Sequence, residues 1–84
     1  MNDIENKKVI VEKWLDNNGF YNIEITQNKH FLKAESKSSR MFITIADNFD
    51  IDVSRIKQFA SLNNRQAWIA KVKPAEESID WEIL

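Results

Sequence analysis

The chain contains no cysteine. That absence excludes disulfides, a thiolate nucleophile and any cysteine-based zinc site. It suits a reducing compartment, and a cytoplasmic location is the expectation. Glycine and proline occur once each, which excludes flexible Gly-rich linkers and Pro-rich tracts. Gly19 stands at the end of an apolar-periodic segment, so no glycine-rich phosphate loop exists and nucleotide-dependent chemistry is unsupported. His30 is the only histidine, and without a second histidine or a cysteine beside it a structural metal site is not expected. A Ser-His-Asp triad has serines to draw on but no nucleophile-turn signature. Long hydrophobic runs are missing too, and the first eight residues are polar, so neither a membrane span nor a signal peptide is expected. The formal net charge is -1, too small to give a global basic field for nucleic acid.

What is present fits one small domain spanning residues 1–84. A chain of this size buries only about 60% of its unfolded surface, so the core is thin. Hydrophobic residues make up 43%, and three Trp and five Phe help to fill that core. Charge is unevenly spread. Lys29, Lys33, Lys37 and Arg40 cluster against Glu35 alone, whereas Glu76, Glu77, Asp80 and Glu82 follow Pro74 without a base.

Along the chain, Ile4 to Asn18 reads as an amphipathic helix with Ile4, Val11, Trp14 and Leu15 on one face, widened by Val9 and Ile10. Asn17-Asn18-Gly19 stops it, since glycine accepts the left-handed position after a helix. Tyr21 to Thr26 alternates as a half-buried strand. Gln27-Asn28-Lys29 forms a turn, His30 to Glu35 the second strand and Ser36 to Ser39 another turn. Arg40 to Ala46 is nearly all apolar, the pattern of a central strand covered on both faces. After an acidic loop, Asp52 or Ser54 caps a second helix. Val53, Ile56, Phe59 and Ala60 mark its buried face, and Asn63-Asn64 ends it. Gln66 to Lys73 is a strand centred on Ala67-Trp68-Ile69-Ala70. Pro74 stops it, and Trp81 to Leu84 is the last strand. The expected fold class is α/β in the order α-β-β-β-α-β-β, a mixed central sheet flanked by two helices. A double-stranded RNA-binding domain shares the first five elements but ends at its second helix, two strands short of this chain.

Three segments carry a resemblance: Trp14-Leu15-Asp16-Asn17-Asn18-Gly19-Phe20, Ser54-Arg55-Ile56-Lys57-Gln58-Phe59-Ala60, and Ala67-Trp68-Ile69-Ala70-Lys71-Val72 with the strand containing Trp81. In these and in element order, the chain resembles the restriction-endonuclease-like superfamily, the PD-(D/E)xK nucleases, and among them the archaeal Holliday junction resolvases. The resemblance implies the architecture, a metal-dependent nuclease site and, by analogy with the resolvases, a homodimer. The site residues do not carry over. The metal-binding acid of the second strand falls at Phe31 or Leu32. The acid and lysine of the acid-x-lysine pair fall at Thr44 and Ala46. The acid of the first helix falls near Lys8, with Glu5 and Glu12 one turn away on either side. Hard carboxylate oxygens are needed to hold a divalent cation and activate water, and the lysine positions that water. The expectation is therefore a catalytically inactive nuclease-fold module that binds nucleic acid weakly or serves as an accessory in DNA processing, with no cofactor and no catalytic or metal residues.

For such a module, Lys29, Lys33, Lys37 and Arg40, with His30 beside them and Lys57 and Arg55 extending them, form a candidate strip for nucleic-acid phosphate. Edge-strand lysines that block aggregation account for the same residues. A first alternative is a protein-interaction module docking through the acidic end and Trp81, with Trp14 and Trp68 in the core. A second is an active Mg-dependent nuclease in which Glu35 or Asp47 is a migrated ligand and Lys33 or Lys37 replaces the lysine. Asp47-x-x-Asp50-x-Asp52 has the acid density of a calcium loop but lacks its central glycine and distant glutamate, and capping plus a solvated turn explains it.

Overall fold

In the computed structural model, residues 3–26, 30–47 and 51–84 are described. The turn at 27–29, with Lys29 of the candidate strip, lies outside them, as does Asp50 of the acidic loop. The elements run α1 (Asp3–Asn17), β1 (Tyr21–Ile25), β2 (Phe31–Glu35), β3 (Arg40–Ile45), α2 (Val53–Leu62), β4 (Gln66–Lys73), a short 3-10 turn (Pro74–Glu76) and β5 (Ser78–Ile83). The expected order is observed. One five-stranded mixed sheet is ordered β1-β2-β3-β4-β5. Only β3 and β4 run parallel, joined through α2; the other neighbours are antiparallel.

Both helices stop by the same local device. At Gly19 the backbone turns left-handed, with φ of 81°. The Phe20 N–H then reaches the Leu15 carbonyl at 3.0 Å, and the Gly19 N–H reaches Asp16 at 3.4 Å. This is a Schellman closure, and the Phe20 ring completes it by packing 6.1 Å from Trp14. In α2 the left-handed residue is Asn64, with φ of 56°, and the Arg65 N–H donates to Ala60 at 2.8 Å. The start of α2 resolves the two capping candidates. The Asp52 carboxylate accepts from the Arg55 N–H at 3.1 Å, while Ser54 lies inside the helix.

The strands divide two cores. On the α1 face, Ile4, Val11 and Leu15 pack against Leu32, Ala34, Met41, Ile43, Ile45 and Ala70. On the other face, Ile56 and Ala60 meet Phe42 and Ala67, with Phe31, Ile51 and Leu84 at the margin. Every residue of β3 from Met41 to Ile45 is buried, as a central strand covered on both faces must be. Trp14, Trp68 and Trp81 form one cluster against α1, with Trp81 ring centroids 4.9 Å from Trp14 and 5.4 Å from Trp68. All three are half-buried, so Trp81 belongs to the core margin as much as the other two.

Several expected details differ. Val53 and Phe59, read as buried, are 41% and 47% exposed. The ten-residue α2 buries only Ile56 and Ala60, and Phe59 packs at the margin with its ring 5.0 Å from Phe42. Val9 is likewise 45% exposed. The alternation of β1 predicts a half-buried strand, but β1 is a sheet edge with a register shift between Tyr21 and Glu24. Asn22 there has φ of 50°, and Tyr21 and Ile25 are left largely exposed. Finally, β5 begins at Ser78 rather than Trp81. The Pro74–Glu76 turn and a left-handed Glu77 reverse the chain tightly enough for Ser78 to pair with Lys73 at once.

Candidate functional site

In an antiparallel or parallel pair, residues opposite one another share a face. The pairs Phe31↔Thr44, Lys33↔Phe42 and Glu35↔Arg40 therefore place these six side chains on the α2 face of the β2–β3 hairpin. Glu24↔Lys33 and Tyr21↔Glu35 continue that face onto β1.

Of the places that the nuclease resemblance assigns to metal chemistry, two lie in the interior. Leu32 and Thr44 have 0% exposure. Phe31 stacks on Phe42 at 5.2 Å. The Thr44 hydroxyl has no hydrogen-bond partner among the described residues, and Ala46 has no donor atom on its side chain. These residues offer a divalent cation no carboxylate, and they do not fit one. Among the described residues no group of three or more His, Cys, Asp or Glu comes together as a metal site.

Nor do Glu35 and Asp47 combine. Glu35 is at the turn end of the hairpin, opposite Arg40. Asp47 follows the far end of β3, beside His30. The four-residue step from Phe31 to Glu35 alone spans about 13 Å at strand rise, too far for one metal ion. Each carboxylate is also engaged. Glu35 accepts from the Asn22 amide at 2.8 Å and from Arg40 Nε at 3.1 Å. Asn22 first, then the charges of Arg40 and Arg65, hold its carboxyl below the ordinary carboxylate range. Asp47 Oδ1 lies 3.5 Å from Lys7 Nζ, and Oδ2 lies 3.2 Å from His30 Nε2. Lys7 also reaches the Ala46 carbonyl at 3.5 Å. This network ties α1 to the end of the sheet through the Asp47 carboxylate.

Of the candidate phosphate strip, the structure gathers Lys33, Lys37 and Arg40 on one hairpin. Lys37 is exposed in the turn, which Ser36 and Ser39 brace by a 2.8 Å backbone bond. The Arg40 side chain is 50% exposed and paired with Glu35. Lys33 faces Glu24 across the β1–β2 ladder. His30 turns to Asp47 instead. Lys57 stands apart. On a helix it lies about 100° from Ile56, on the opposite side of the Ile56–Ala60 stripe from Phe59. Since the Phe59 ring packs 5.0 Å from Phe42, Lys57 is turned away from the hairpin.

Two working residues escaped the sequence reading. Lys7 sits on the Ile4–Val11 stripe, and a lysine interrupting an apolar stripe was the available signal. Arg65 donates to the Met41 carbonyl at 3.2 Å and the Ala34 carbonyl at 3.5 Å. No sequence pattern marks a staple of that kind, because its acceptors are backbone atoms on distant strands. A scan against protein-family models finds no match to this chain, and a search of curated proteins finds none either.

Proposed function

We propose that the chain is a non-catalytic module on a restriction-endonuclease-like scaffold, and that it binds nucleic-acid phosphate through the β2–β3 hairpin. The observation that carries this reading is the burial of Leu32 and Thr44, at 0% exposure, where the nuclease chemistry would need solvent-facing carboxylates. The α-β-β-β-α-β-β order and the mixed sheet support the scaffold. Lys33, Lys37 and Arg40 support the partner. The Arg40–Glu35 pair is half-exposed, and such surface pairs are weak enough to yield a guanidinium to phosphate. The alternatives have less behind them. A nuclease with migrated carboxylates is disfavoured by the distance between Glu35 and Asp47. Docking through the acidic end has Trp81 packed between Trp14 and Trp68.

Backbone amide NMR titration with a four-way DNA junction at low salt, with and without magnesium, tests the reading. The expected result is saturable shifts on Lys33, Lys37 and Arg40, weakening as salt rises, with the DNA intact. Magnesium-dependent cleavage, or no shifts on the hairpin, overturns it.

A further inference from the structure

We propose that the sheet face beside α2 is a site for single-stranded nucleic acid, with the rings of Tyr21 and Phe59 as stacking surfaces for unpaired bases and the hairpin cations as the track for its backbone. The inference rests on the nucleic-acid reading above and narrows it from phosphate binding to a class of strand.

The topology lays out the surface. On this face α2 covers Phe42 of β3 and Ala67 of β4, with Phe31 at the margin. Beyond them, Lys33 and Glu35 of β2 are half-buried, and Tyr21 and Glu24 of β1 are exposed. The result is a shelf of sheet with the flank of α2 as its wall. Arg55, Phe59 and Leu62 form that flank, spaced i, i+4, i+7. The Phe59 ring, 5.0 Å from Phe42, turns the flank toward the hairpin.

The rings supply the first element of recognition. Phe31 and Phe59 pack on either side of the buried Phe42, at 5.2 and 5.0 Å, and Phe59 keeps 47% exposure. Tyr21 is 49% exposed, and its hydroxyl donates to the Ser36 carbonyl at 3.3 Å, which holds the ring in place. The pairs Lys33↔Phe42 and Tyr21↔Glu35 set Phe42 and Tyr21 two strands apart across the sheet and two residues apart along it. That is about 10 Å by about 7 Å, or about 12 Å in all. A run of about four nucleotides spans it at about 3.4 Å each. The tryptophans offer no such surface, because Trp14, Trp68 and Trp81 pack on one another on the α1 face.

Charge supplies the second. Lys33 and Arg55 form no ion pair among the described residues, and Lys37 and Arg40 continue the cations to the hairpin turn. The acids here are Glu24, Glu35 and Asp52. Glu35 is held by Asn22 and Arg40, and Asp52 by the α2 cap. A duplex keeps its bases stacked inside, whereas an unpaired base has a free π-face that exposed rings beside cations recognise. An apolar protein surface would cover the rings but leave the Lys33 and Arg55 charges without counterparts.

The test is fluorescence anisotropy at low salt with end-labelled oligothymidylate and with a hairpin duplex of equal phosphate count, followed by amide NMR of the full chain. Oligothymidylate is expected to bind about tenfold more tightly than the duplex, with shifts on Tyr21, Lys33 and Phe59. Tyr21→Leu and Phe59→Leu keep apolar bulk and remove a ring. Each should weaken oligothymidylate about fivefold and leave the duplex unaffected, whereas Lys33→Gln should weaken both. Amide spectra away from this face check that the variants are folded, and Tyr21→Leu, at an exposed edge, carries the test alone if Phe59→Leu is not. Duplex binding as tight as the single strand, or unchanged oligothymidylate binding by the folded leucine variants, overturns the stacking site and leaves the phosphate reading standing. Absence of binding by both nucleic acids overturns the two together. Shifts at Phe59 and Leu62 that depend on protein concentration without DNA assign the face to a second copy of the chain and overturn the site.

Discussion

On one face of the sheet α1 seals Val11, Leu15, Leu32, Ala34, Met41, Ile43, Ile45 and Ala70 completely from solvent, while on the other α2 leaves Phe59, Val53 and Leu62 at 47%, 41% and 77% exposure. The two helices differ in length, fifteen residues against ten, about 22 Å against about 15 Å of helix. They differ also in the width of the stripe that meets the sheet. The first helix is backed by Trp14, Phe20, Trp68 and Trp81 along its margin. The second rests on a seam of Ile56 and Ala60 over Phe42 and Ala67. Burial on a sheet face is therefore set by how much of the sheet a helix can span as well as by how apolar the helix is.

The largest test of this contrast is Leu15→Ala. With no exposed surface and no room to collapse, it should cost about 2–5 kcal/mol by denaturant unfolding. Ile56→Ala, at the rim of the thinner core, should cost near the low end of that range, about 2 kcal/mol. A larger loss at Ile56 than at Leu15 would erase the distinction between the faces. Thr44→Val works in the other direction. It keeps the shape and removes a buried hydroxyl with no partner among the described residues, so it should stabilise by about 1 kcal/mol. Asp52→Ala removes the only side-chain cap seen on α2 and should cost about 1 kcal/mol. The smallest effect belongs to Glu35. Its carboxyl titrates below the ordinary range in the folded state, so its contribution is present above the unfolded carboxylate pKa and is lost as pH falls through the lower folded value. Glu35→Gln should flatten the acid limb of the stability–pH curve slightly, with a small loss near neutral pH where the Asn22 bond is weakened and the Arg40 ion pair removed.

Much of this architecture was legible in the sequence because it is local. Asn17-Asn18-Gly19 announces a left-handed helix end, Asn63-Asn64 a stop, Asp52 or Ser54 a cap, and the run Met41 to Ile45 a strand covered twice. What was not legible depends on neighbours far along the chain. Periodicity shows that Val53 and Phe59 lie near the apolar face of a helix, but it cannot show that only Ile56 and Ala60 of α2 are fully covered by the sheet. The early start of β5 depends on how tightly the Pro74 turn closes. At the candidate site, residue types marked Lys33, Lys37 and Arg40 as one group but also Lys57, which only the helix's placement over the sheet separates from them. The Lys7–Asp47–His30 network joins three segments that no spacing rule connects.

The single parallel pairing, between β3 and β4, has a consequence for the order of assembly. Glu35 pairs with Arg40 and Lys73 with Ser78, each five positions away, whereas Met41 pairs with Gln66, 25 positions away. The first three strands and the last two can each close through short loops, but joining them requires the entropy of a much longer one. The chain should therefore fold as two quickly formed hairpin units whose union limits the rate. The segment that must be carried across that gap is α2, the helix that buries least once it arrives. Mutations that weaken α2 should express most of their modest stability loss as slower folding, read from the folding limb of a denaturant chevron.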